Sequence, residues 1–252
     1  MKTRHLACSV LALFLFASCT TLMNLLPEVS MEKRQVIYDM AEKMAFPEVR
    51  TLGRSKTRRM DLKSGQWITV LQETLNGDKN VSLTTTKVIS VNSTTVTLEM
   101  EAYSAAADAL PTYSQITFEG YPIQGNLSYA KEEFDGMMNS LRITRSRTRQ
   151  GNGPVNEMPP ELLAMAQGMT RSALAGSMVR LGEAKREAYE SPYIQTASGF
   201  SHHYTVSLMG ITTQGRSVTH SSIPVSGVIA SEDNHTKATT VAYGYKGATS
   251  VF

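Results

Sequence analysis

The chain is poor in cysteine. It has two in 252 residues, Cys8 and Cys19, and none beyond position 19, so the rest of the chain forms no internal disulfide. Its stability has to come from a buried core, which a chain of this length can build. No apolar run after the first nineteen residues approaches the roughly 20 residues a spanning helix needs. At 19% charged and 41% hydrophobic the composition is globular, without disordered or collagen-like bias. A net charge of +3 includes Lys2 and Arg4, so the remainder is nearly neutral. That balance argues against nucleic acid as a partner.

Phosphate-binding and catalytic signatures are missing too. Neither Gly-x-x-x-x-Gly-Lys nor Gly-x-Gly-x-x-Gly occurs, and no cofactor is implied. Gly199-Phe200-Ser201-His202-His203 begins like a nucleophile elbow but lacks the closing glycine. Ser30-Met31-Glu32-Lys33 fits Ser-x-x-Lys without the Lys-Thr-Gly that would accompany it. Four histidines, His202, His203, His220 and His235, fall in the last third. Two imidazoles with Glu232 or Asp233 would suffice for zinc if their strands met. Adjacent His202 and His203 point to opposite faces of a strand, however, so at most one could join. They are weak metal candidates, and no metal or catalytic residue is assigned.

What is present begins at the first residue. Met1-Lys2-Thr3-Arg4-His5 is cationic, and Leu6 to Cys19 (LACSVLALFLFASC) is apolar and ends in small residues. This is the grammar of a secretory signal peptide, here 1–18. Phe16-Ala17-Ser18-Cys19 resembles the lipobox of bacterial lipoproteins, with phenylalanine where leucine is usual. The resemblance implies cleavage before Cys19, lipidation of Cys19, and attachment to a membrane through acyl chains such as palmitate. Residues 19–29 are then a lipidated tether. Thr20, rather than aspartate, points to the outer membrane of the cell envelope, facing the periplasm or the cell surface.

Residues 30–252 read as a single α+β domain. Ser30 caps a helix to Ala45 whose stripe is Val36, Ile37, Met40, Ala41 and Met44, and Pro47 stops it. From Trp67 the period changes to two. Trp67–Glu73, Val81–Val91, Thr94–Tyr103 and Gln115–Tyr121 read as a meander, with a turn at Asn76-Gly77. Val96, Leu98, Met100 and Ala102 face one way, while Thr95, Thr97, Glu99 and Glu101 form a solvated face. Residues 129–139 are a short helix or an irregular crossing. In Leu141–Arg149 the arginines 145, 147 and 149 share the odd face with Leu141 and Ile143. They form one cationic surface with the basic segment 50–63 if the fold joins them. Segment 50–63 by itself reads as a solvated loop or edge strand.

After the break at 151–160, a second helix is expected near 161–180. Small residues Ala164, Gly168, Ser172 and Gly176 recur every fourth position, beside Leu162, Met165, Met169 and Leu174. The default is core packing over the sheet. Met165, Gly168, Met169 and Ser172 are the candidate ligand-facing positions, since adaptable methionines against small residues suit a lipid or peptide. Strands are expected at 188–196, 200–209, 216–220, 225–230 and 236–245. Ser222-Ile223-Pro224-Val225-Ser226-Gly227-Val228 with Tyr243-Gly244-Tyr245, and the opening Gly65-Gln66-Trp67, resemble a loose group of uncharacterised exported bacterial proteins. The element order is similar to that of LolA/LolB-like carriers.

The expected architecture is a curved, mainly antiparallel sheet, open or half-barrel, covered by the N-terminal helix and the helix near 161–180. The expected function is non-enzymatic: a membrane-anchored lipoprotein that binds a hydrophobic ligand or an envelope partner. The alternatives are a periplasmic hydrolase or metal-dependent enzyme, and a surface adhesin or structural envelope protein.

Overall fold

The structure is a computed structural model that describes residues 28–56, 60–121, 123–125, 140–175, 178–208 and 211–252. Cys19, the leader, the tether to residue 27 and the segment 129–139 lie outside the described residues. Helix α1 (Met31–Met44) is followed by strands β1 (Arg50–Leu52), β2 (Met60–Asp61), β3 (Trp67–Thr74), β4 (Val81–Val91), β5 (Thr95–Ser104), β6 (Thr112–Glu119), β7 (Gln124–Gly125), β8 (Arg142–Gln150) and β9 (Asn156–Glu157). Helix α2 (Pro160–Ala175) then leads to β10 (Met178–Leu181), β11 (Lys185–Glu190), β12 (Ile194–Leu208), β13 (Ile211–Thr219), β14 (Val228–Asp233) and β15 (Thr236–Gly244).

Thirteen strands form one open, curved sheet in the order β1-β12-β13-β14-β15-β3-β4-β5-β6-β8-β9, with β10 and β11 also on β12. The pair β1·β12 is parallel, and the rest of this sheet is antiparallel. Two meanders, β3 to β8 and β12 to β15, therefore join edge to edge where β15 pairs with β3. The fold is α+β and dominated by its sheet.

Local chemistry accounts for the elements. The Ser30 hydroxyl accepts from the Lys33 N–H at 3.4 Å and caps α1. Its buried line is Ile37 and Ala41, packed with Leu71, Val81, Leu83 and Val241, whereas Val36 and Met44 of the expected stripe are exposed. The β3–β4 turn uses Gly77 at φ 67°, and the β4–β5 turn is fixed by the Asn92 carboxamide oxygen, which accepts from the N–H groups of Thr94 and Thr95. A second cluster (Leu62, Val88, Val96, Leu98, Phe118) fills the opposite face of β4–β6.

Four expectations are corrected. The second helix stops at Ala175, and residues 178–181 are strand β10. The expected strand 188–196 breaks at Ser191, whose hydroxyl accepts from the Ile194 N–H at 2.9 Å, and β12 then runs unbroken to Leu208. Val225 is not in a strand. It sits at φ 62°, a strained backbone for a β-branched residue, in a tight turn closed by Ser226 N–H donating to Pro224 O at 2.7 Å. Finally, the arginines of β8 do not share a face with Ile143. Phe118 opposes Ile143 but Thr117 opposes Arg145, so Thr144 is a bulge that turns Arg145, Arg147 and Arg149 to the other side.

Candidate functional site

Register decides which side chains meet. Across β12, β13, β14, β15 and β3 one rung reads His203, Arg216, Glu232, Lys237 and Glu73. Apart from the histidine, the charges alternate in sign from strand to strand, the favourable cross-strand arrangement. Glu73 accepts from the Tyr38 hydroxyl of α1 at 2.7 Å, and burial beside that carboxylate pushes the Tyr38 phenol up to about 12.

The first four residues of this rung line a groove of about 470 Å³ that opens to solvent on β12–β15. Its lining includes Tyr189, Gln214, Ser231 and Asp233 as well as His203, Arg216, Glu232 and Lys237, with Val218 and Ala230 as its apolar base. Arg216 also pairs with Glu187 of β11. Asp233 holds the β14–β15 hairpin, its carboxylate accepting from the N–H groups of His235 (2.7 Å) and Thr236 (2.8 Å). Burial raises the phenols of Tyr189 and Tyr204, so both remain protonated donors at neutral pH. Among the lining residues Arg216 and Lys237 balance Glu232 and Asp233.

Gly215 shapes one wall. The Tyr204 ring lies over it: a Cβ built on Gly215 would stand 2.5 Å from the Tyr204 hydroxyl oxygen and 2.5 Å from Glu232 O. The glycine lets an aromatic side chain cross β13 and bury itself to 4% exposure.

The histidines are placed separately. His203 lines the groove and is exposed, while His202, one residue away, is 2% exposed. Neither ring nitrogen of His202 has a hydrogen-bond partner, and burial lowers it to about 4, with His203 adding a smaller push in the same direction. His220 is buried, with Nε2 2.8 Å from Gly53 O and Nδ1 accepting from the Ser222 N–H. His235 contacts Asn234 at 2.9 Å. Among the described residues no three His, Cys, Asp or Glu side chains are grouped to hold a metal ion.

Of the candidate ligand-facing positions of α2, Met165 and Gly168 look outward. Met165 is 58% exposed, and a Cβ on Gly168 would meet nothing within 4 Å. The side chains of Met169 and Ser172 lie outside the described residues. Helix α2 touches the sheet through Leu163, which is buried, and through Gln167, whose amide donates to Leu141 O at 3.0 Å. Among the described side chains of this helix, core packing is confined to Leu163 and Gln167.

Glu99, expected on a solvated face, is 0% exposed. It accepts from the Ser250 hydroxyl (2.6 Å), the Val251 N–H (3.1 Å) and the Gln115 amide (3.0 Å), with Lys87 Nζ at 3.7 Å. The arginines 145, 147 and 149 of β8 are each engaged with a neighbour rather than free. Arg145 forms a two-bond pair with Glu157, Arg147 donates to Gln115, and Arg149 stacks on Tyr113 at 4.7 Å.

Sequence reasoning passed over Tyr189, Arg216 and Lys237. One signal was available: counting back from a tight turn at Asp233–His235 puts Glu232 opposite Lys237. Comparison with protein-family models, with curated proteins and with solved structures finds no match to this chain.

Proposed function

We propose that this chain is an exported, lipid-anchored binding protein of the cell envelope, probing a polar, electroneutral ligand with the β12–β15 groove. The carrying observation is the rung His203–Arg216–Glu232–Lys237, whose charges alternate in sign from Arg216 to Lys237 and set donors beside acceptors. An oligosaccharide suits it best. Guanidinium, carboxylate and amide groups match vicinal hydroxyls two bonds at a time, and the half-buried Tyr189 offers a ring to a sugar face. The polar lining favours this class over the hydrophobic ligand expected from the methionines of α2. In this reading α1 covers the apolar middle of the sheet and α2 flanks β8. A protein partner is the second reading, favoured by Met158, Leu162 and Met165, which are exposed around the start of α2.

Two experiments test the two halves of this reading. Cells fed radioactive palmitate should label the unaltered chain and not Cys19→Ser; an unlabelled, cytosolic chain contradicts the anchor. Calorimetric titration of the purified chain with N,N′-diacetylchitobiose should show saturable binding that Arg216→Ala or Glu232→Gln weakens at least tenfold. Binding that neither substitution changes places the ligand elsewhere.

A further inference from the structure

Residues 245–252 continue from β15 without regular structure and cross the sheet at right angles to its strands. Ala248 N–H donates to Gly65 O at 3.0 Å, and the Trp67 indole donates to Lys246 O at 3.2 Å. Ser250 and Val251 then reach Glu99, and the Phe252 ring lies 5.0 Å from the guanidinium carbon of Arg147 and 5.7 Å from that of Arg149. The register places Gly244, Trp67, Lys87, Glu99, Gln115 and Arg147 on a single rung. Five strand spacings of about 4.8 Å cover about 24 Å, which is also the reach of seven extended residues. The segment thus follows that rung from β15 to β8.

What lies beneath it is unusual for a docked segment. None of residues 246–252 is in a buried core cluster. The hold on the rung is a carboxylate accepting a hydroxyl and an N–H, an amide bridging Gln115 to Ser250 (2.9 Å), and a ring over arginines. Lifting residues 250–252 therefore uncovers Glu99, Lys87, Gln115 and Arg147, which water solvates, rather than apolar surface, which it does not. The Nε atoms of Arg147 and Arg149 are buried without a partner, so two donors stand ready for an acceptor on an incoming chain.

We infer that the Lys87–Glu99–Gln115–Arg147 rung is a peptide-binding cradle, filled in cis by residues 250–252, which detach to admit another peptide. The ligand it takes is an extended peptide with a hydroxyl side chain, a backbone N–H on the next residue and an aromatic ring on the one after. This stands apart from the saccharide groove, and either can fail without the other. The occupant is residues 250–252 of a second copy, since that sequence is the one the structure shows fitting the rung.

The test uses the full chain carrying Ser250→Ala, Val251→Pro and Phe252→Ala together, which removes the hydroxyl, the N–H and the ring and leaves every strand in place. The probe is a fluorescent synthetic peptide of residues 244–252. Saturable binding to this variant is expected, at least tenfold weaker to the unaltered chain, whose cradle is occupied, and at least tenfold weaker when Glu99→Gln is added. A concentration-dependent dimer of the unaltered chain, lost in the triple variant, names a second copy as the source. An unaltered chain that stays monomeric at every concentration overturns the second copy as occupant. A folded triple variant with no saturable binding overturns the proposal. Should that variant not fold, hydrogen exchange of the unaltered chain decides. The Val251 amide should exchange by local opening at least 100-fold faster than the amides of β4 and β5; equal protection overturns the proposal.

Discussion

Acidification from pH 7 to about 4 is expected to cost the fold about 3 kcal/mol through His202 alone. The imidazole is 2% exposed with both nitrogens unpartnered, and burial first, then His203, hold it down from 6.5 to about 4. The folded state therefore prefers the neutral ring, while the unfolded chain binds a proton near 6.5. Stability from this group is complete above 6.5, declines as the pH falls toward 4, and levels off below that. At about 1.4 kcal/mol per pH unit, the fall from 6.5 to about 4 is worth about 3.5 kcal/mol in full, of which about 3 is lost by pH 4. Carboxylates also titrate in this window, so the comparison is between the unaltered chain and His202→Leu, by urea unfolding at pH 7, 5.5 and 4.5. The difference in unfolding free energy should shift by 2 kcal/mol or more in favour of His202→Leu between the first and last pH (about three quarters of the total). Parallel pH profiles would show that the buried ring carries no such penalty.

Gly215→Ala is expected to destabilise by about 3 kcal/mol, at the upper end of overpacking costs. The added methyl would stand 2.5 Å from a backbone oxygen, Glu232 O, which cannot swing away, and 2.6 Å from Tyr204 Cζ. Tyr204 has little room to retreat, being 4% exposed with its hydroxyl 3.4 Å from Asp233. Either β13 and β14 separate or the ring leaves its place. Thermal unfolding should show the loss, and Gly215→Ala combined with Tyr204→Ala should recover little, because the clash with Glu232 O persists. A melting temperature unchanged in Gly215→Ala would show that β13 yields freely.

Much of the framework was legible because it is local. The period of two from Trp67 to Tyr103, the Asn76-Gly77 turn and the Ser30 cap each act within a few residues, and each appears where the spacing puts it. The misreadings have non-local causes. Alternation says that Glu99 and Glu101 share a face, but not that residues 250–252 will return to lie on it. A bulge at Thr144 adds a residue without any change in composition, so parity counted from Ile143 carries the arginines to the wrong side. The stripe through Met165 and Gly168 has the spacing of a packed helix, and which face packs is chosen by the neighbour, here β8 against Leu163 and Gln167. His202 and His203 split to opposite faces as a strand requires, yet their contrast, one sealed and one in the groove, comes from the layers above and below. The groove was the least legible part, because its charges come from four strands whose register is set by three turns.

The most direct test of the electroneutral groove is a nuclear magnetic resonance titration of the purified chain against three probes: N,N′-diacetylchitobiose, pyrophosphate and palmitate. Chitobiose alone should move the amide signals of Tyr189, Arg216, Glu232 and Lys237 together, and Arg216→Ala should abolish the movement. Palmitate or pyrophosphate shifting those same residues, with chitobiose silent, would contradict that expectation.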